Sequence, residues 1–148
     1  MLSASEPKVY FFNNGLKPPL RNRTRLKKFL INLFKNEDKK LDSINYIFCT
    51  DRFLLNANRH YLNHNYYTDI ITFNLSDNNR DPIKAEVYIS LQRVRENAKR
   101  LQTSVKSELH RVIFHGALHL CGYNDSTKKE KDVMSRKEDF YLSRYFKK

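Results

Sequence analysis

His115, His119 and Asp125 are the residues of this 148-residue chain whose types and spacing point most directly to chemistry. Two histidines four apart on a helix project to the same side, about 40° apart around the axis. Their ring nitrogens can share one metal ion. Gly122 follows, and a glycine there lets the chain leave the helix and fold back. A carboxylate six residues after the second histidine can then close a third coordination position. Two neutral nitrogens and one anionic oxygen leave a fourth position for water. That is the open layout of a catalytic zinc, and the expectation is one zinc ion per chain.

The spacing H-x-x-x-H-x-x-G-x-x-[H or D] resembles the metal-binding helix of the zinc proteases called metzincins. In those enzymes a glutamate follows the first histidine and acts as general base. Here that position is Gly116, which can neither take a proton nor polarise a water, and this speaks against peptide hydrolysis by that route. A glycine inside a helix costs roughly 1 kcal/mol relative to alanine. It therefore calls for a reason, either close packing or the close approach of a substrate. His60, His64 and His110 lack partners at such spacing. His110 lies five before His115, points elsewhere, and reads as a helix-surface or core residue.

The elements that must position this cage can be read from periodicity and punctuation. Residues 8–13, 43–49, 69–75 and 85–90 read as strands, and 76–82, SDNNRDP, as a turn. Leu20, Leu26, Phe29, Leu30, Leu33 and Phe34 place a helix over residues 20–36, with a basic opposite face. Asp51 is expected to cap a helix through RFLLNANRHYL, and Ser90 to cap LQRVRENAKRLQ. A metal-site helix runs over about 104–120, with an apolar stripe of Val105, Leu109, Val112, Ile113, Gly116, Ala117 and Leu120. Thr127 and Glu130 have capping-box spacing and open a last helix through about Tyr145. The order β-α-β-α-β-β-α-α-α predicts an α+β fold. It is one compact domain over residues 1–148, with a small mixed sheet and helices packed on it. The pattern leaves the order of strands in the sheet open.

Composition bounds the partners. Twenty-eight Lys and Arg against 16 acidic residues give a formal net charge of +12. A small domain this basic suits a polyanion, first nucleic acid and then an anionic membrane surface, with a merely solvated basic surface as the bland alternative. Cys49 and Cys121 sit in apolar surroundings and read as buried free thiols, which suits a reducing compartment. MLSASEPKVYFF lacks the pattern of a secretion signal, and no apolar run approaches membrane-spanning length, so the expectation is a cytoplasmic protein without a membrane partner.

HGALHLCGYND is similar to the signature HGxLHLxGYDH of the YbeY family, bacterial endoribonucleases and ribosomal-RNA maturation factors. Residues 115–123 fit it throughout. Upstream, Thr68-Asp69-Ile70-Ile71-Thr72-Phe73 resembles the family's TDVLSF strand, and Glu86-Val87-Tyr88-Ile89-Ser90 its GDIxIS strand. The likeness covers roughly the last two thirds of the chain. Two positions depart from the pattern. The third ligand is usually histidine and here is Asp125, with Asn124 where the family has aspartate. An arginine usual in the loop before TDVLSF aligns with Leu62, and Arg59 is the nearest basic residue.

The resemblance implies a cytoplasmic, metal-dependent, single-strand-specific endoribonuclease. Its substrate would be ribosomal RNA, notably the 3′ end of the 16S molecule, and its role would extend to ribosome quality control. Ribosomes or small-subunit assembly factors would be its protein partners. Arg59, Lys84 and Arg93 are candidate contacts to the RNA backbone. Without an obvious general base, either a metal-activated water or the RNA 2′-OH could be the nucleophile. Two other readings stay open here: a metalloprotease-like hydrolase, and a non-catalytic ribosome assembly factor whose metal is structural.

Overall fold

Side-chain alternation in four short strands builds one sheet whose inner face carries most of the core. In the computed structural model, residues 6–78 and 80–147 are described. The first five residues of the N-terminal stretch, Asn79 in the turn read at 76–82, and Lys148 lie outside the described residues. The elements run β1 (Lys8–Asn13), α1 (Arg23–Asn36), β2 (Leu41–Cys49), α2 (Asp51–Leu62), β3 (Ile70–Asn74), β4 (Ile83–Ser90), α3 (Leu91–Arg100), α4 (Val105–Leu120) and α5 (Lys128–Tyr145). This is the α+β order expected from the pattern.

The sheet order is β1-β2-β4-β3. β1, β2 and β4 are parallel, and β3 runs antiparallel along the edge of β4. Pairing of Val9 with Ile44 and of Ile44 with Ala85 lines the inner face with apolar side chains. Val87, Ile89 and Ile44 are fully buried there. Leu26, Leu30, Leu33 and Phe34 of α1 pack into the same core. Alternation sends Cys49 and Ile71 to the other face, where Leu54 of α2 closes a smaller cluster with Tyr88 and Phe73.

Two helix starts differ from expectation. Thr50 caps α2, its hydroxyl accepting from the Phe53 N–H at 3.1 Å, and Asp51 becomes the first helical residue. Asp51 is thereby free to hold Arg93 at 2.7 Å. α1 begins at Arg23 rather than Leu20, because Pro18 and Pro19 hold the preceding segment out of the helix and Asn22 takes the cap. Ser90 and Ser104 cap α3 and α4, and Thr127 with Glu130 forms a complete capping box on α5.

α4 is buried well beyond one stripe. Glu108, His110, Phe114 and Leu118 are buried as well as Leu109, Ile113 and Ala117, because the sheet, α1, α3 and α5 surround the helix. Gly116 faces the sheet. A Cβ there would sit 2.9 Å from Ile70 Cδ1 and 3.2 Å from Val87 Cγ1. Close packing is thus the physical reason for glycine at this position, and it brings α4 against β3 and β4. The Tyr46 hydroxyl ties the same helix to the sheet by donating to the Ile113 carbonyl at 3.1 Å.

Candidate metal centre

The last two turns of α4 present the two histidines. Their ring centroids lie 4.6 Å apart with planes at 84°. The helix then ends in a Schellman turn. Gly122 has φ +105°, its N–H donates to the His119 carbonyl at 3.0 Å, and the Tyr123 N–H donates to the Leu118 carbonyl at 3.1 Å. A side chain at Gly122 would be strained by that backbone conformation. Tyr123 is anchored by donating from its hydroxyl to Glu37 at 2.6 Å, and Glu37 also accepts from Tyr141 and from Lys137. Burial pushes the Glu37 carboxyl up, but these hydrogen bonds outweigh it and hold the group below the usual carboxylate range.

The anchored loop returns Asp125 to the histidines. Its Oδ2 lies 3.3 Å from His115 Nε2 and 3.4 Å from His119 Nε2. One ligand atom from each of the three residues falls within 4.8 Å of the others. The group sits in a cleft of about 500 Å³, whose walls include Asn58, Leu62, His64, Tyr66, Thr68 and Asp69.

Glu138 of α5 completes the arrangement behind His115. The carboxylate is buried and its Oε2 lies 2.5 Å from His115 Nδ1. Arg111 of α4 donates to Glu138 Oε1 at 2.9 Å and to Asp139 at 2.7 Å. An imidazole that donates from Nδ1 presents the Nε2 lone pair to a metal, and a carboxylate partner is the common way of fixing that tautomer. Burial pulls the His115 imidazole down, but the hydrogen bond and charge of Glu138, with Asp125 and Asp69 nearby, leave it above its ordinary value. The donor set therefore fits a divalent ion such as zinc: two oriented nitrogens, one carboxylate oxygen and an open side facing the cleft.

The remaining sequence-selected residues lie elsewhere. Arg59 lies in the last turn of α2 with its Nε donating to Asn65. Lys84 is on the outer face of the sheet, 3.9 Å from Asp42. Arg93 pairs with Asp51 and Glu96 and lies 5.0 Å from the centre of the Tyr67 ring. None of the three lines the cleft. His110 is a buried core residue with Nδ1 2.7 Å from the Lys106 carbonyl. His64, by contrast, lines the cleft, with Nδ1 3.0 Å from the Tyr66 hydroxyl.

Asp69 and Glu138 are the features that residue spacing does not single out. Asp69 lines the cleft, accepts from Asn97 at 3.2 Å, and is pushed above the usual carboxylate range, chiefly by burial. A signal for Glu138 does exist. It falls among Met134, Tyr141, Leu142 and Tyr145 on the buried side of α5, where an acidic residue demands a partner.

The profile of the family described as Endoribonuclease YbeY matches residues 17–146. The chain belongs to the YbeY family. Among its relatives, the protein named endoribonuclease YbeY from Cytophaga hutchinsonii is 45% identical over 138 residues, covering 93% of this chain and 96% of that protein. The one from Bacteroides thetaiotaomicron is 40% identical over 135 residues, with 91% and 97% covered. The solution structure of TM1509 from Thermotoga maritima shares the fold, with a TM-score of 0.63 at 24% identity over 93% of this chain and 89% of that one. Within the YbeY signature, His115-Gly116-Ala117-Leu118-His119 now divides by direction. The histidines face the cleft, and Gly116 meets β3 and β4.

Proposed function

We propose that this chain is a zinc-dependent endoribonuclease that cuts single-stranded RNA in ribosomal RNA maturation, at the 16S 3′ end, and in ribosome quality control. The observation that carries the reading is the convergence of His115, His119 and Asp125 at an open cleft on a chain of net charge +12. The YbeY relatives, named endoribonucleases, support the same substrate class. His115 Nε2, His119 Nε2 and an Asp125 oxygen would hold one zinc ion per chain. A zinc ion so held supplies Lewis acidity toward a phosphoryl oxygen and lowers the pKa of water to about 7.

The protein's own groups do the rest. Glu138 keeps His115 in one tautomer and one orientation. Asp69 places a second carboxyl on the cleft wall, raised toward the neutral form and able to carry a proton during bond cleavage. His64 and Tyr66 offer ring surfaces to an unstacked base. The side chains of His115 and His119 are only 20% and 26% exposed, so the scissile phosphate must enter a recess. An unpaired strand can enter it, whereas a stacked A-form duplex would first have to deform. Gly116 faces the sheet, so no group stands where a metzincin carries its base. Among the described residues no helix is long and apolar enough to cross a membrane. A cytoplasmic location, one YbeY-like domain over residues 1–148, and ribosomal or small-subunit assembly partners complete the reading.

The test is cleavage of single-stranded and duplex RNA of one sequence by zinc-loaded protein and by His119→Ala, with a thermal melt of each. Cleavage of the single strand alone, lost in a folded His119→Ala protein, is the expected result. No cleavage by folded, zinc-loaded wild type refutes the enzyme and leaves the assembly-factor reading.

A further inference from the structure

Several cations outside the metal cleft already have counter-charges. Arg93, Arg111, Lys84 and Lys137 each pair with a carboxylate. A second cleft differs in this respect. It lies where the N-terminal ends of α1 and α4 meet the C-terminal end of α5, and holds about 380 Å³. Arg21, Arg25 and Lys106 line it, with His110, Tyr145 and Phe146, and no carboxylate is among its lining residues. Among the described residues none of the three cations forms a salt bridge.

Two of these cations are placed by rings and, for Arg25, by a guanidinium hydrogen bond to the Tyr145 carbonyl, with no counter-charge. The Arg25 guanidinium carbon lies 4.0 Å from the centre of the Tyr145 ring, and Lys106 Nζ lies 5.2 Å from that of Phe146. A ring face orients a cation without neutralising it. His110 forms the floor, 4% exposed and stacked on Tyr145 at 5.2 Å. Burial, with the charges of Lys106 and Arg25, keeps its imidazole below the ordinary value and so neutral. The first turn of α1 has no acidic residue, so its backbone dipole adds to the positive field.

We propose that this cleft binds phosphate groups of an RNA strand away from the cleavage site, as an exosite that anchors long substrates. Arg21 and Lys106 take the phosphates, Phe146 holds the Lys106 ammonium in place, and Arg25, held on Tyr145, adds its charge beside them. Lys106 precedes His115 by nine residues, about 14 Å along α4, and His110 lies about 140° around the axis from His115. The exosite therefore faces away from the metal centre, and only a strand long enough to pass around the helix occupies both. The choice of RNA as the source of phosphate rests on the nuclease reading above.

The experiment compares Arg21→Glu/Lys106→Glu with Lys28→Glu/Arg136→Glu, which makes the same change in net charge at exposed sites outside both clefts. Binding of a single-stranded RNA of about a dozen nucleotides is measured by fluorescence anisotropy with chelator present, across a salt series. The exosite variant should lose about tenfold in affinity or more, with a salt slope lower by about 1.4 for two phosphate contacts at about 0.7 each. The control should stay within about threefold of wild type. Equal losses in the two variants overturn the exosite and leave the nuclease reading standing. If the exosite variant fails to fold by thermal melt, Lys106→Gln replaces it with Lys28→Gln as its control, and the salt slope should then fall by about 0.7 for one contact in the first and not in the second. If wild type binds no RNA, the RNA strand is refuted as occupant. Inorganic phosphate then decides what is left. A melting temperature raised by phosphate in wild type but not in the variant identifies a free-anion site, and no shift overturns the site altogether.

Discussion

Replacing Glu138 by glutamine probes the centre through a residue that would not touch the metal. Both carboxylate oxygens of Glu138 accept hydrogen bonds, Oε2 from His115 and Oε1 from Arg111 at 2.9 Å. Glutamine keeps the shape but has only one acceptor. Either its amide N–H₂ faces the guanidinium, or it faces His115 Nδ1 and the tautomer that presents Nε2 is no longer favoured. Loss of such a supporting partner costs about 10–100-fold in metal affinity, or roughly 1.4–2.7 kcal/mol. The buried donor left without a partner costs a further ~1–3 kcal/mol of stability, a fall of about 2–4 °C in Tm per kcal/mol. Asp139→Asn is the control. It removes the other partner of Arg111, which is 65% exposed, and an exposed pair contributes ~0–1 kcal/mol. Zinc affinity is read by competition with a chromophoric chelator, alongside a thermal melt of each metal-free protein. A folded Glu138→Gln protein that binds zinc within about twofold of wild type refutes the positioning role.

Gly116→Glu, which installs the metzincin base, drives a charged side chain into contacts of 2.9 and 3.2 Å with Ile70 and Val87. It should cost more than about 3 kcal/mol in a denaturant titration, and a stable variant that hydrolyses peptides would contradict the packing account. Burial pushes the thiols of Cys49 and Cys121 up to about 12. Neither should react with iodoacetamide in the native protein at mildly alkaline pH, while both react in guanidinium; rapid labelling of the native chain would count against their burial. Thr127→Ala removes the capping box, where the Thr127 hydroxyl accepts from the Glu130 N–H at 3.1 Å and Glu130 accepts in return at 2.9 Å. The expected loss is about 0.5–2 kcal/mol, and an unchanged denaturation midpoint would show that α5 does not depend on it.

Local spacing explains what can be read from the residues alone. His115 and His119 converge because one helix carries both, and Gly122 returns Asp125 through a turn that closes within a few residues. Strand alternation likewise separates inner from outer faces without tertiary information. What spacing misses is settled between distant elements. Glu138 reaches His115 only because α5 packs on α4, and Asp69 and His64 reach the cleft only through β3 and the loop before it. Strand order is of the same kind, since alternation specifies a face and not a neighbour. The choice of Arg59, Lys84 and Arg93 by charge could not foresee Asn65, Asp42 and Asp51 beside them. Conversely, Arg21 and Lys106 look ordinary in the sequence, and their setting emerges only where α1, α4 and α5 meet. Asp51 and Thr50 are both good caps, and local sequence does not tell them apart: Thr50 takes the cap while Asp51 holds the distant Arg93.

The central claim is that His115, His119 and Asp125 form one metal centre, and zinc titration of Asp125 variants tests it most directly. Wild type should bind one equivalent of zinc per chain. Asp125→Ala should keep the fold and lose about tenfold or more in affinity, while Asp125→His, which restores a nitrogen ligand at the same position, should bind strongly. Unchanged zinc stoichiometry and affinity in Asp125→Ala would contradict the account, because the third corner of the centre would then not be a ligand.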